Sequence, residues 1–214
     1  MKVLIYAYYS KPWELRTGDD IRIHYVTKVI GELFKSPIVV LNLSHLISNS
    51  TIMFKDRVMY VSIPRKFYLI ISKLVRWNQQ HDLNPLIKLT HYVDELIATV
   101  KLVRELRHSE IAYVFGSMTL FSFFARIFGV RCKFIYDPLA NYAQTLYLRS
   151  RYNLTGLLRY GLYLILHKLQ LKASDYIVYP SKHDLENAIH MLSLIHISEP
   201  TRPRLISYAV FCLK

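Results

Sequence analysis

The sequence predicts an α/β fold, a Rossmann-like parallel sheet with helices on both faces, and three observations carry that expectation. Short, almost uninterrupted apolar runs recur along the chain, as at residues 3–8 and 111–115, which is the pattern of strands buried on two sides. Longer segments lie between them, with apolar residues returning at helical spacing. The two kinds alternate along the chain, which calls for right-handed βαβ units.

Each element follows from local chemistry. Residues 3–8 form the first strand. After Ile23 the apolar positions Val26, Val29, Ile30, Leu33 and Phe34 recur at helical spacing, with Thr17, Asp19 and Asp20 offering N-cap oxygens just ahead. A helix is therefore expected over 20–35, stopped by Pro37, and strands at 38–43 and 58–63, the latter ending at Pro64. Segment 66–77 mixes apolar and basic residues at helical spacing, and Leu89, Val93, Leu96, Ile97, Val100 and Val103 mark a helix over 86–106. Strands at 111–115, 133–136 and 176–179 follow, separated by a helix over 118–128 that Gly129 ends and a long amphipathic helix over 154–172. Ligands of such sheets gather at the carboxyl ends of the strands, which selects the loops after Tyr8, Phe115, Tyr136 and Tyr179.

Composition narrows the partners. A chain of 214 residues with 52% hydrophobic content can bury a large core. Its formal charge of +13 and pI near 9.7 predict an anionic partner, for which nucleic acid, an anionic membrane surface and a nucleotide diphosphate are the candidates. The cations form no single recognition helix and no zinc, RRM or KH signature is present, so nucleic acid is not expected. Cys132 and Cys212 are the only cysteines, too few for a disulfide framework or zinc cluster, and a reducing, cytoplasmic setting is expected. His24, His91, His167 and His190 lack metal-ligand spacing and read as structural or surface residues, so no metal site is proposed. The opening apolar run is too short for a signal peptide, and the richest stretch, 157–171, carries Arg159, His167 and Lys168. Contact with a membrane would then be peripheral, at its inner face. Arg65, Lys66, Lys73 and Arg76 surround residues 67–71, and Arg149, Arg151, Arg159, Lys168 and Lys172 flank or stud 146–171. Such stretches lie on anionic lipid or else form a solvated basic face over a core-facing stripe.

Residues 192–214, LSLIHISEPTRPRLISYAVFCLK, read differently from the rest. LSLIHISEPTR and ISYAVFCL match the translated constant parts of a transposase-type sequencing adaptor, and Pro203, Arg204 and Leu205 fill the index between them. The expectation is a domain over 1–191, truncated there, with 192–214 a non-native tail. The alternative is a genuine carboxyl-terminal strand, because 205–213 is apolar and rich in β-formers. Arg202, Arg204 and Lys214 against Glu199 account for only two of the net positive charges, so the basic character belongs to 1–191.

Three loops could carry chemistry. Thr17-Gly18-Asp19-Asp20 stands directly before a helix, where backbone N–H groups and the helix dipole meet a phosphate, or where the residues simply cap the helix. No G-x-G-x-x-G accompanies it. At the end of a strand in FIYDPLANYAQT, Asp137 either orients or deprotonates an acceptor hydroxyl or caps the turn at Pro138. In KASDYIVYPSKHDLENAI, Ser181 suits the N-cap of a helix beginning near His183, with Glu186 near capping-box distance.

GDDIRIHYVTKVIGELF followed by PIVVLNL, FIYDPLANYAQT and KASDYIVYPSKHDLENAI together resemble the amino-terminal domain of family 4 glycosyltransferases, over residues 2–190. The resemblance implies the amino-terminal, acceptor-side half of a GT-B fold. It implies an enzyme, in the full-length parent, of hexosyltransferase type. That enzyme would move a sugar from a nucleotide-diphosphate sugar to a carbohydrate or lipid-linked acceptor with retention, and need no cofactor beyond the donor substrate. Gly18 matches the glycine of the loop that lies against the donor diphosphate, Asp19 occupies the place of a usual second glycine, and Arg22 matches a basic residue of a G-D-x-x-R branch. Asp137 stands where the family often carries His and is the catalytic candidate; Ser117, Asn141, Ser181 and Lys182 are the acceptor-side candidates. The carboxyl domain, with its donor-site glutamates, is missing from the sequence, so this fragment is expected to be inactive. The competing expectation is a basic Rossmann-like module that binds an anionic ligand or nucleic acid without catalysis.

Overall fold

The computed structural model describes residues 3–7, 17–34, 38–44, 49–55, 58–66, 70, 85–116, 119–138, 154–179, 181–182, 184–186 and 204–207. In chain order these form β1 (Val3–Ala7), α1 (Gly18–Phe34), β2 (Ile38–Ser44), β3 (Thr51–Lys55), β4 (Val58–Pro64), α2 (Pro85–Arg107) and β5 (Ile111–Phe115). There follow α3 (Phe121–Ile127), β6 (Lys133–Asp137), α4 (Leu154–Ala173), β7 (Tyr176–Tyr179) and β8 (Arg204–Ser207). One eight-stranded sheet runs β3-β4-β2-β1-β5-β6-β7-β8. Every neighbouring pair is parallel except β3 on β4. From β4 to β7 the order is that of the doubly wound fold, with β1 at the reversal between β2 and β5.

Strand periodicity divides the core into two layers. Leu4 and Tyr6 of β1 point to the side covered by α2, α3 and α4, where they join Ala98, Leu106, Phe121, Ala125 and Leu171. Val3, Ile5 and Ala7 point to the other side, against Ile23 and Ile30 of α1. Burial on both faces is why β1 reads as a continuous apolar run.

Polar ties at the amino ends of the strands fix how the elements stack. Asp175, just before β7, accepts the Phe134 N–H at 2.8 Å and pairs with Arg126 of α3 at 2.7 Å and Lys133 at 3.4 Å. Gln170 of α4 donates to Ser122 at 2.9 Å, joining α4 to the start of α3. A shallow cleft of about 410 Å³, lined among others by Arg107, Glu110, Arg131 and Lys133, lies at this end of the sheet.

The sheet departs from the all-parallel expectation at β3, an antiparallel edge strand. All five of its residues are exposed, so it lacks the polar and apolar alternation that marks a half-buried strand. The helix expected over 118–128 is shorter, beginning at Phe121, because Thr119 and Leu120 are held by side-chain bonds from another helix. Gly129, in the left-handed region at φ 73°, lets its own N–H and that of Val130 return to Arg126 and Ala125 and so ends α3. Of the segment 66–77 only Lys66 and Ile70 fall among the described residues. Among the described residues no helix is long and apolar enough to cross a membrane.

Candidate functional site

The strand order reverses at β1, where the chain leaves β1 for α1 on one face and β5 for α3 on the other, and sheets of this kind hold ligands outside the carboxyl ends of the strands at such a reversal. The first turn of α1 stands there. Thr17 Oγ1 accepts the Asp20 N–H at 3.1 Å while Asp20 Oδ2 accepts the Thr17 N–H at 3.0 Å, a reciprocal capping box with aspartate in the third helical position. Thr17 and Asp20 are therefore committed to the helix start. Gly18 and Asp19 are exposed, and among the described residues a Cβ built on Gly18 would meet nothing within 4 Å.

One turn further, Arg22 reaches the carboxyl end of β6. Its Nη2 lies 2.6 Å from Asp137 Oδ2, although the two are 115 positions apart in sequence. The Asp137 side chain is wholly buried, whereas Arg22 retains 22% exposure. The Tyr113 hydroxyl donates to the same Asp137 oxygen at 3.3 Å, and the Tyr113 ring stacks on Phe115 at 4.5 Å. Register pairs Phe115 with Asp137, and the Asp137 carbonyl accepts the Gly116 N–H at 3.0 Å. Gly116 does this at φ 142°, a backbone region that other residues rarely adopt. The catalytic candidate and the basic candidate of the first loop are thus brought together, with the carboxylate behind and the guanidinium partly toward solvent.

The remaining candidates divide. Ser117 and Asn141 lie outside the described residues. Ser181 follows β7 at the same carboxyl end of the strands and is an N-cap: its Oγ accepts the Asp184 N–H at 3.1 Å and donates to Asp184 Oδ2 at 2.7 Å. The capping partner is Asp184 and not Glu186, which instead faces exposed Lys182 at 3.6 Å, one turn along the chain. Asp lies three residues past the cap, where its oxygen reaches back; Glu186 lies five past it.

A second polar cluster was not expected. The buried face of α2 comprises Thr90, His91, Asp94, Glu95, Ala98, Thr99 and Leu106, whereas Val100, part of the expected apolar stripe, is exposed. These polar groups are paired. Thr119 Oγ1 and the Leu120 N–H both donate to Glu95, the latter at 2.7 Å. Arg65, just past β4, donates to His91 Nδ1 at 3.1 Å and approaches Asp94 at 3.7 Å. Burial pushes the Glu95 carboxyl up to about 7 against the pull of its hydrogen bonds and of Arg65. Burial likewise pushes His91 down to about 3. The spacing of His91, Asp94 and Glu95 on one helix face was visible in the sequence, but their partners were not. Among the described residues no group of His, Cys, Asp and Glu is placed to hold a metal ion.

No protein-family model and no curated protein matches the chain. Solved structures do. A sucrose-phosphate synthase from Thermosynechococcus elongatus aligns with 97% of this chain and 48% of its own, at 8% identity and a TM-score of 0.60. A trehalose-6-phosphate protein from E. coli bound with UDP-2-fluoro glucose aligns with 97% of this chain and 48% of its own, at 12% identity and a TM-score of 0.58. A further trehalose-6-phosphate synthase gives 97%, 49%, 10% and 0.57. Identities this low speak to fold, and the shared fold is the Rossmann-like one of GT-B proteins. The chain spans about half the length of these structures.

Proposed function

We propose that residues 1–191 are the acceptor-side domain of a family 4 glycosyltransferase of hexosyltransferase type. The complete enzyme would transfer a sugar from a nucleotide-diphosphate sugar to a carbohydrate or lipid-linked acceptor, with no cofactor beyond the donor. The observation that carries this reading is the Arg22–Asp137 pair at the switch point, one turn past the start of α1. As a glycosidic bond to the donor breaks, negative charge grows on the departing diphosphate, and a prepositioned guanidinium at a helix start stabilises it. Asp137, buried behind Arg22, fixes where that charge sits, so its role is exercised through Arg22. Support for the donor class and for retention comes from the structural neighbours, one bound with UDP-2-fluoro glucose and one studied for glycosyltransfer with retention. The domain alone, without a donor-binding partner domain, would not turn over.

The test is to express the complete genomic reading frame that contains residues 1–191 and follow nucleoside-diphosphate release from a panel of UDP-, GDP- and ADP-sugars. Arg22→Gln should lower kcat by about 100-fold, the size expected for losing one preorganised donor to developing charge. Absence of release with every donor, or a fully active Arg22→Gln enzyme, would remove the proposal; anion binding without turnover would instead favour a non-catalytic module.

A further inference from the structure

We propose that the outer face of α4 is a docking surface for an anionic lipid bilayer, an inference independent of the transfer reaction. Leu157, Leu158, Leu162 and Ile165 are each between 56% and 67% exposed. Leu158, Leu162 and Ile165 follow one another at i, i+4 and i+7, so they form one line along the helix. The opposite side is anchored. Tyr163, Gln170 and Leu171 are buried, and the His167 ring stacks on Tyr163 at 5.4 Å and meets Tyr136 edge-on at 5.9 Å. Rotation of the helix to hide the leucines would expose those groups, so the apolar line is fixed outward.

Charge selects the occupant. From Pro138 to Ser174 the sequence contains no aspartate or glutamate, and Lys168 and Lys172 continue the line of Ile165 by one and two turns. An apolar stripe prolonged by cations, on a helix that cannot span a bilayer, matches a helix lying in the interface of anionic lipid. A second copy of the chain fits less well, since a two-fold contact would bring two acid-free basic faces together. Nucleic acid offers nothing to four aliphatic side chains, which have no π-face for a base to stack on.

Co-sedimentation of the full chain with vesicles tests this. Binding is expected to vesicles containing phosphatidylglycerol and not to phosphatidylcholine alone. It should weaken as added salt shortens the Debye length from about 10 Å at 0.1 M to about 3 Å at 1 M. The exposed double substitution Leu162→Glu, Ile165→Glu should lower partitioning at least tenfold, with circular dichroism reporting an intact fold. Lys172→Ala should lower it about fivefold. Three results overturn the proposal: no anionic-lipid preference, a Glu variant that is folded and binds unchanged, or a concentration-dependent dimer that the Glu variant abolishes.

Discussion

Asp137 is a carboxylate removed from water, and removing a charge from water is unfavourable unless a partner stays in place. Arg22 is that partner, at 2.6 Å, with Tyr113 adding a weaker donor at 3.3 Å. The strength of the pair lies between two limits. Exposed pairs contribute about 0–1 kcal/mol, and breaking a fully buried one costs about 3–5 kcal/mol. With Arg22 about a fifth exposed, a double-mutant cycle of Arg22→Gln and Asp137→Asn by urea unfolding should give a coupling of about 1–3 kcal/mol. Additivity of the two single changes within about 0.5 kcal/mol would show that they do not act as a unit. Both residues stood out in the sequence, Arg22 by its match to the G-D-x-x-R of the resembled family and Asp137 by its place at the end of a strand. Their pairing did not, because nothing local records that the Arg22 side chain reaches the end of β6, 115 positions along the chain. Gly116 was missed for a similar reason: its φ of 142° is a consequence of the β5 and β6 registry, not of its neighbours in sequence.

Elements were legible in proportion to how far they obey a single period. The bounds of β5 and β7 coincide with the expected ones and those of α2 and α4 nearly so, since their apolar content and breakers are local signals. The orientation of α2 was not legible. Its apolar residues suggested one face, yet the buried face over 90–99 is mostly polar, because Glu95 closes on Thr119 and Leu120, and Arg65 closes on His91 and Asp94. A measurable pH dependence follows. The Glu95 carboxyl titrates near 4.5 in an unfolded chain and at about 7 when folded, so between these values the folded state holds the extra proton. Stability is then fully present below 4.5, falls as pH rises, and is lost by about 7, an effect on the order of 3 kcal/mol. His91 works in the opposite sense, contributing above its ordinary value of 6.5 and losing that contribution as pH falls toward 3. Comparison with Glu95→Gln isolates the carboxyl. In urea unfolding, wild type should lose stability relative to the variant between pH 5 and pH 8, and an equal gap at both pH values would show that Glu95 does not titrate in this window.

At the scale of the molecule, the alternation of strands and helices was sufficient for the Rossmann-like sheet, and the edges were where it fell short. At one edge, β3 escaped notice because it is covered on neither face. At the other, β8 pairs with β7 from Tyr176↔Arg204 to Tyr179↔Ser207, using residues of the segment 192–214, expected from the sequence to be either a non-native tail or a genuine strand. The two readings of that segment differ in a measurable quantity. Tyr6, Phe115, Phe121, Phe134 and Tyr136, among the largest fully buried side chains, lie between β1 and β6. A four-residue edge strand added to such a core contributes a few backbone bonds, each worth about 1 kcal/mol net and partly replaced by water when lost. If 192–214 is foreign to the domain, a chain ending at Met191 should keep its unfolding free energy to within about 1 kcal/mol and its unfolding should remain a single transition. An integral strand behaves otherwise. Its removal would uncover the apolar β7 edge, lower stability by several kcal/mol and leave β7 open to pairing with other chains, which size-exclusion chromatography would detect as self-association.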